Sequence, residues 1–152
     1  MLKLADVIEA LTGIKPEHAS LVISEAVIDS RQVIPGSMFV ALPGERVDGH
    51  DYLESAFIRG AAFALVQKDM SKEVKTIQLN DTPTFNFDSL HQPFCIQVPD
   101  TLKAMQAAAK FWRSKLPLKV IGITGSIGKS TTKELAAELL DRHYRTAKNY
   151  GN

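Results

Sequence analysis

Apolar residues recur along this chain in two rhythms, and the exchange between them sets the expected fold. Leu4, Val7, Ile8 and Leu11 fall at helical spacing and Gly13 follows as a stop signal, which predicts a short amphipathic helix. Residues Leu21–Ile28 are rich in β-branched types and read as a strand. Asp29-Ser30-Arg31 leaves that strand and Pro35-Gly36 is a turn. Met38–Leu42 is a second strand, followed by a polar loop over Pro43–His50. Tyr52, Leu53, Ala56 and Phe57 line one helix face that Gly60 closes, and the small apolar run Ala61–Val66 reads as a buried strand. Lys75–Leu79 is a further strand, whereas Asn80–Pro93 reads as an irregular insertion. Phe94–Val98 is a strand, and Asp100 or Thr101 caps the helix after it. In that helix Leu102, Met105, Ala109, Trp112 and Leu116 recur at steps of three and four, which predicts its buried face. Leu118–Thr124 reads as a strand, Gly125–Gly128 as a tight loop and Lys129–His143 as a helix.

Strands alternating with helices indicate an α/β protein. The expected organisation is a small mixed-sheet N-terminal unit followed by the first strand, loop and helix of a second domain, with the break near Ser114–Pro117. No internal repeat is present. Composition adds little to this pattern: 45% hydrophobic and 23% charged residues over 152 positions describe a globular chain. The charge balance adds more. Eighteen Lys and Arg against seventeen Asp and Glu leave a net charge of +1, which argues against a nucleic-acid or membrane-surface partner. A bound anion has to be held by local geometry. One cysteine, Cys95, cannot form an internal disulfide and reads as a buried apolar side chain. The charged N-terminus is not a signal peptide, and the cytoplasm is the expected compartment.

The strongest chemical signal is Val120-Ile121-Gly122-Ile123-Thr124-Gly125-Ser126-Ile127-Gly128-Lys129-Ser130-Thr131. An apolar stretch runs into two glycines three apart, and Lys-Ser then opens a helix. This is the pattern of a P-loop that cradles the phosphates of ATP. The glycines let successive N–H groups face one anion, and the helix N-terminus adds partial positive charge. Lys129 reaches the terminal phosphates and is the catalytic candidate, while the Ser130 hydroxyl is placed to bind Mg²⁺. The general pattern requires a glycine five residues before Gly128, where this chain has Ile123.

The segment from Gly122 to Glu134 resembles the Mur ligases of peptidoglycan synthesis, whose P-loop uses this shorter glycine spacing. A threonine usually occupies the place of Ser130 in that family, and the hydroxyl is kept here. The Lys133-Glu134 continuation is similar to the branch that adds D-alanyl-D-alanine to UDP-N-acetylmuramoyl-tripeptide. The block from Asp29 to Asp51 resembles the N-terminal domain shared by that branch and the branch that adds the third amino acid.

The resemblance implies an ATP-dependent amide-forming ligase. It implies that Gly125, Ser126, Ile127, Gly128, Lys129, Ser130 and Thr131 hold ATP and Mg²⁺. It also implies that Ser30, Arg31, Asp48, Gly49 and His50 meet the UDP end of the precursor. Two internal roles compete: Asp29 and Arg31 pair to brace a turn, and Asp48 caps the following helix. On this reading residues 1–85 form the UDP-precursor-binding domain, 86–116 a connecting strand and helix, and 117–152 the opening of the central ATP-binding domain. The chain would then be inactive alone. Its exposed Leu135, Leu139 and Leu140 face would dock on the N-terminal domain or associate with a second copy. The alternatives are a ligase of the third-amino-acid branch and a non-catalytic nucleotide-binding fragment.

Overall fold

Strands that carry apolar side chains on both faces need cover on both sides, and this requirement shapes the first part of the chain. The structure, a computed structural model, describes residues 1–149. It divides into a first unit, Met1–Leu116, and a second that begins at Pro117. Residues 86–116 therefore belong to the body of the first unit and do not form a connector outside it.

In the first unit β1 (Ala26–Val27), β2 (Met38–Val40), β3 (Phe63–Val66), β4 (Thr76–Gln78) and β5 (Phe94–Gln97) form one sheet in the order β1-β2-β3-β5-β4. Every neighbouring pair is parallel, so the mixed sheet read from the pattern is corrected to a parallel one. Parallel neighbours need crossovers rather than hairpins, and the chain supplies them through α2 (Leu53–Ile58) and through longer segments elsewhere.

Side chains alternate between two cores. Met38, Val40, Phe63, Leu65, Phe94 and Ile96 point to the face covered by α1 (Leu4–Thr12) and α3 (Thr101–Ser114). Phe39, Ala41, Ala64, Val66 and Cys95 point to the face covered by α2. Phe63 stacks on Phe94 with ring centroids 5.6 Å apart, and Phe87 packs on Phe94 at 5.9 Å. Phe87 comes from the stretch expected to be an irregular insertion. That stretch forms two 3₁₀ turns, Leu79–Thr84 and Phe87–Ser89, whose apolar side chains join the α1/α3 core. The buried face of α3 also differs from the expected stripe. Thr101, Ala104 and Ala108 are buried, while Leu102 is 46% exposed and Ala109 is exposed. Ala104 and Ala108 lie in the core shared with α1, and the half-buried Met105 packs beside them.

The expected strand over Leu21–Ile28 shortens to β1, because only Ala26 and Val27 find ladder partners, on β2. Among the described residues the second unit holds one regular element, α4 (Lys129–Asp141), and no residue of that helix is buried. Leu118–Thr124 forms no strand among the described residues. Its sequence is strand-like, but a strand exists only as part of a ladder, and no partner segment is described for it.

Candidate functional site

Two groups of residues stand out, one in each unit. The first lies where β1 and β2 end. Asp29 receives the N–H of Arg31 at 3.0 Å and opens the 3₁₀ turn Ser30–Gln32. Its carboxylate also takes two bonds from the Arg31 guanidinium, at 3.0 and 2.7 Å, and this hydrogen-bonded pair holds the Asp29 carboxyl down at about 2. Arg31 is thus an exposed clamp whose fork is engaged within the turn. Ser30 sits behind it, 5% exposed. No hydrogen bond of its hydroxyl is found among the described residues.

The Asp48-Gly49-His50 loop is built inward. Asp48 accepts the N–H of His50 at 2.9 Å and caps the turn Gly49–Tyr52. The His50 ring is buried, and its Nε2 accepts from the N–H of Gln67 at 2.9 Å and of Lys68 at 3.3 Å. An accepting Nε2 carries no proton, so the ring proton lies on Nδ1, which donates to Asp48 at 2.6 Å. Lys68 reaches the other Asp48 oxygen at 2.7 Å. Hydrogen bonds from Lys68, from the His50 backbone and from the His50 ring hold the Asp48 carboxyl well below the usual carboxylate range. Gly49 is required by packing: a Cβ there would lie 2.7 Å from the Leu42 nitrogen and 2.9 Å from its oxygen. Gly49 thus lets the loop backbone approach Leu42 closely. His50 and Asp48 form a clasp that ties the loop after β2 to the end of β3.

The second group is the glycine loop. Gly125 has φ 151° and Gly128 φ 81°, conformations that residues with a Cβ rarely adopt. Gly128 is the N-cap of α4 and provides no side-chain cap. Lys129 is the first helical residue, and its Nζ folds back to donate to the Gly125 carbonyl at 2.6 Å. Ser126, Ile127, Ser130 and Thr131 are exposed, Ile127 at 95%. A shallow cavity beside the loop is lined by Ile121, Ile123, Lys129, Ser130, Lys133 and Asn149. No cluster of acidic, histidine or cysteine side chains able to hold a metal is found among the described residues. Ser130 fits one position on a hard cation, whose remaining oxygens would have to come from phosphate, water or other residues. The glycine loop and the Ser30/Asp48 loops lie in separate units.

A parallel α/β unit followed by a short-spaced phosphate loop on a helix defines a class of nucleotide-handling protein. The profile described as Mur ligase family, catalytic domain, matches residues 22–113, and the chain belongs to that family. That match falls within the first unit and stops short of the glycine loop.

The chain is 36% identical over 125 residues to the UDP-N-acetylmuramoyl-tripeptide–D-alanyl-D-alanine ligase of Treponema pallidum, covering 82% of this chain and 26% of that protein. Its fold is similar to a crystal structure of MurF from Acinetobacter baumannii, with a TM-score of 0.68 and 27% identity over 97% of this chain and 29% of that one. It is also similar to MurF ligase from Thermotoga maritima in complex with ADP, with a TM-score of 0.62 and 26% identity over 84% of this chain and 26% of that one. The chain thus spans about a quarter of the length of the proteins it matches. No helix among the described residues is long and apolar enough to cross a membrane.

Proposed function

We propose that this chain carries the precursor-binding and phosphate-binding parts of an ATP-dependent ligase that joins D-alanyl-D-alanine to UDP-N-acetylmuramoyl-tripeptide. One observation carries the reading: a chain of the Mur ligase family places Lys129 at the first turn of α4, directly after a loop that bends at Gly125 and Gly128. The Thermotoga relative crystallised with ADP supports a nucleotide at this loop.

In this reading the loop N–H groups and the N-terminus of α4 receive the triphosphate of ATP. Lys129 exchanges the Gly125 carbonyl for the terminal phosphate and neutralises charge as the phosphoryl group moves. Ser130 would hold Mg²⁺ from the protein side, and the ion would supply further neutralisation of phosphate charge. The precursor carboxylate attacks the γ-phosphorus and ADP leaves. The D-alanyl-D-alanine amine then adds to the acyl phosphate, loses a proton, and expels inorganic phosphate to leave the amide.

At the precursor end we assign contact to the Ser30 hydroxyl and to the loop between Leu42 and Asp48. The Asp48–His50 clasp holds that loop, and Arg31 braces the neighbouring turn. Titrating the chain with UDP and following amide NMR shifts tests this assignment. Shifts are expected around Ser30 and over Pro43–Asp48, and should weaken in Ser30→Ala. A spectrum unmoved at millimolar UDP overturns the precursor assignment. ATP consumption by the 152-residue chain, given precursor and D-alanyl-D-alanine, is expected to stay at background. Turnover would show that these residues suffice.

A further inference from the structure

A second cavity, of about 190 Å³, opens at the carboxyl end of the sheet and is lined by Gln67, Gln78, Leu79, Asn80, Gln97, Val98 and Pro99. Its position follows from the topology. The chain leaves β3 through Met70 and Val74, which pack on the α2 face of the sheet. It leaves β5, the neighbour of β3, into α3 on the opposite face. Adjacent parallel strands whose connections part to opposite faces leave a crevice between them, the place where open α/β sheets bind ligands.

The crevice is lined by carboxamides whose orientation is set from both ends. Gln67 Oε1 accepts from the Thr101 N–H at 3.2 Å and its hydroxyl at 2.9 Å, so this atom must be oxygen. Gln97 Nε2 donates to the Gln67 carbonyl at 3.0 Å, so this atom must be nitrogen. Gln97 Oε1 is then left to accept from Gln78 Nε2, at 2.6 Å. Thr101 is fully buried, and its single hydroxyl proton is shared between Gln67 Oε1 and the Ala41 carbonyl, 3.0 Å away, which anchors the chain in the core. Two groups at the ends of this relay make no hydrogen bond among the described residues: the Nε2 of Gln67, a donor, and the Oε1 of Gln78, an acceptor. No charged side chain lines the cavity.

We propose that this crevice binds a neutral group that presents a carbonyl beside an N–H, as a pyrimidine imide or a peptide unit does. The carbonyl accepts from Gln67 and the N–H donates to Gln78. Lysine, arginine and carboxylate groups are absent from the lining, so phosphate and carboxylate ligands are disfavoured. This assignment is independent of the ligase reading, because it uses residues distinct from both Ser30 and the glycine loop.

The test is titration of the whole chain with uridine and, separately, with N-acetylalanine N-methylamide, following the side-chain amide resonances of Gln67, Gln78 and Gln97. Saturable shifts of these resonances are expected with at least one probe. Uridine alone would identify a pyrimidine site, the peptide analogue alone a peptide site, and both a general amide site. Gln67→Glu keeps the oxygen that Thr101 needs but removes the donor, and should weaken binding about tenfold, the worth of one hydrogen bond. Gln78→Ala, at an exposed position, should weaken it without disturbing the fold. The proposal is overturned if neither probe moves these resonances at tens of millimolar. It is also overturned if binding survives unchanged in both variants while the backbone spectrum shows an intact fold.

Discussion

The two units of this chain are built from similar residues and reach opposite outcomes. The first closes a sheet between two helical layers, and Phe39, Phe63, Phe94, Leu65 and Ile96 are removed from solvent. The second has strand-like apolar residues and an amphipathic helix, yet Val120, Ile121, Leu135 and Leu139 are each more than half exposed. Local propensity is comparable in both. What separates them is the number of partners: five strands satisfy one another's backbone groups, whereas Leu118–Thr124 has no ladder among the described residues. The glycine loop nevertheless keeps its shape, because its bends depend on Gly125, Gly128 and the start of α4 and not on a core.

Core truncation should break this contrast most sharply. Phe94→Ala is expected to cost the first unit about 3–5 kcal/mol in urea unfolding, whereas Leu135→Ala should stay within about 0.5 kcal/mol. Equal losses would mean that the second unit has a core of its own. Gly49→Ala comes next, at about 1–3 kcal/mol, because the new methyl meets fixed backbone atoms of Leu42. A neutral result would show that the loop relaxes.

Acid should act on the first unit more gradually. Asp29 and Asp48 have folded pKa values below the ordinary 3.8, so each binds its proton more readily when unfolded. Their stabilisation is present above pH 3.8 and is lost as the pH falls toward about 2, where Asp29 titrates. Asp48→Asn should flatten part of that decline in a series of urea midpoints. The smallest effect is expected for Arg31→Ala: it removes the main cause of the lowered Asp29 pKa, but the pair is solvent-exposed, so the urea midpoint at neutral pH should fall only slightly, less than for Gly49→Ala.

Much of the first unit was legible because helix and strand periods differ and because Gly13, Gly36 and Gly60 mark the ends. The buried run Ala61–Val66 became β3, and the glycine loop was legible from its spacing together with the apolar stretch before it and the helix after it. The inward role of His50 was not, since its backbone partners at Gln67 and Lys68 lie 17 and 18 residues away and only the fold brings them together. The buried face of α3 was legible only in part, at Met105, Trp112 and Leu116, because the helix carries two stripes. The larger one, through Leu102 and Trp112, has the stronger periodic signal, while Ala104 and Ala108 fit against the neighbouring helix. The residue pattern of Leu118–Thr124 reports what a segment does when paired, not whether it is paired. The crevice between β3 and β5 carries no sequence motif, and its three glutamines became neighbours only through strand order.

The lone thiol has a practical meaning. Cys95 lies on β5, between β3 and β4, fully buried, and burial pushes its pKa up to about 12. A thiol in that state has almost no thiolate at neutral pH and no path to a reagent, so it stays silent while the sheet is closed. When the first unit opens, the thiol regains ordinary acidity and access together. The rate of its alkylation is therefore a clock for openings of one unit only, one that every fluctuation of the glycine loop leaves untouched.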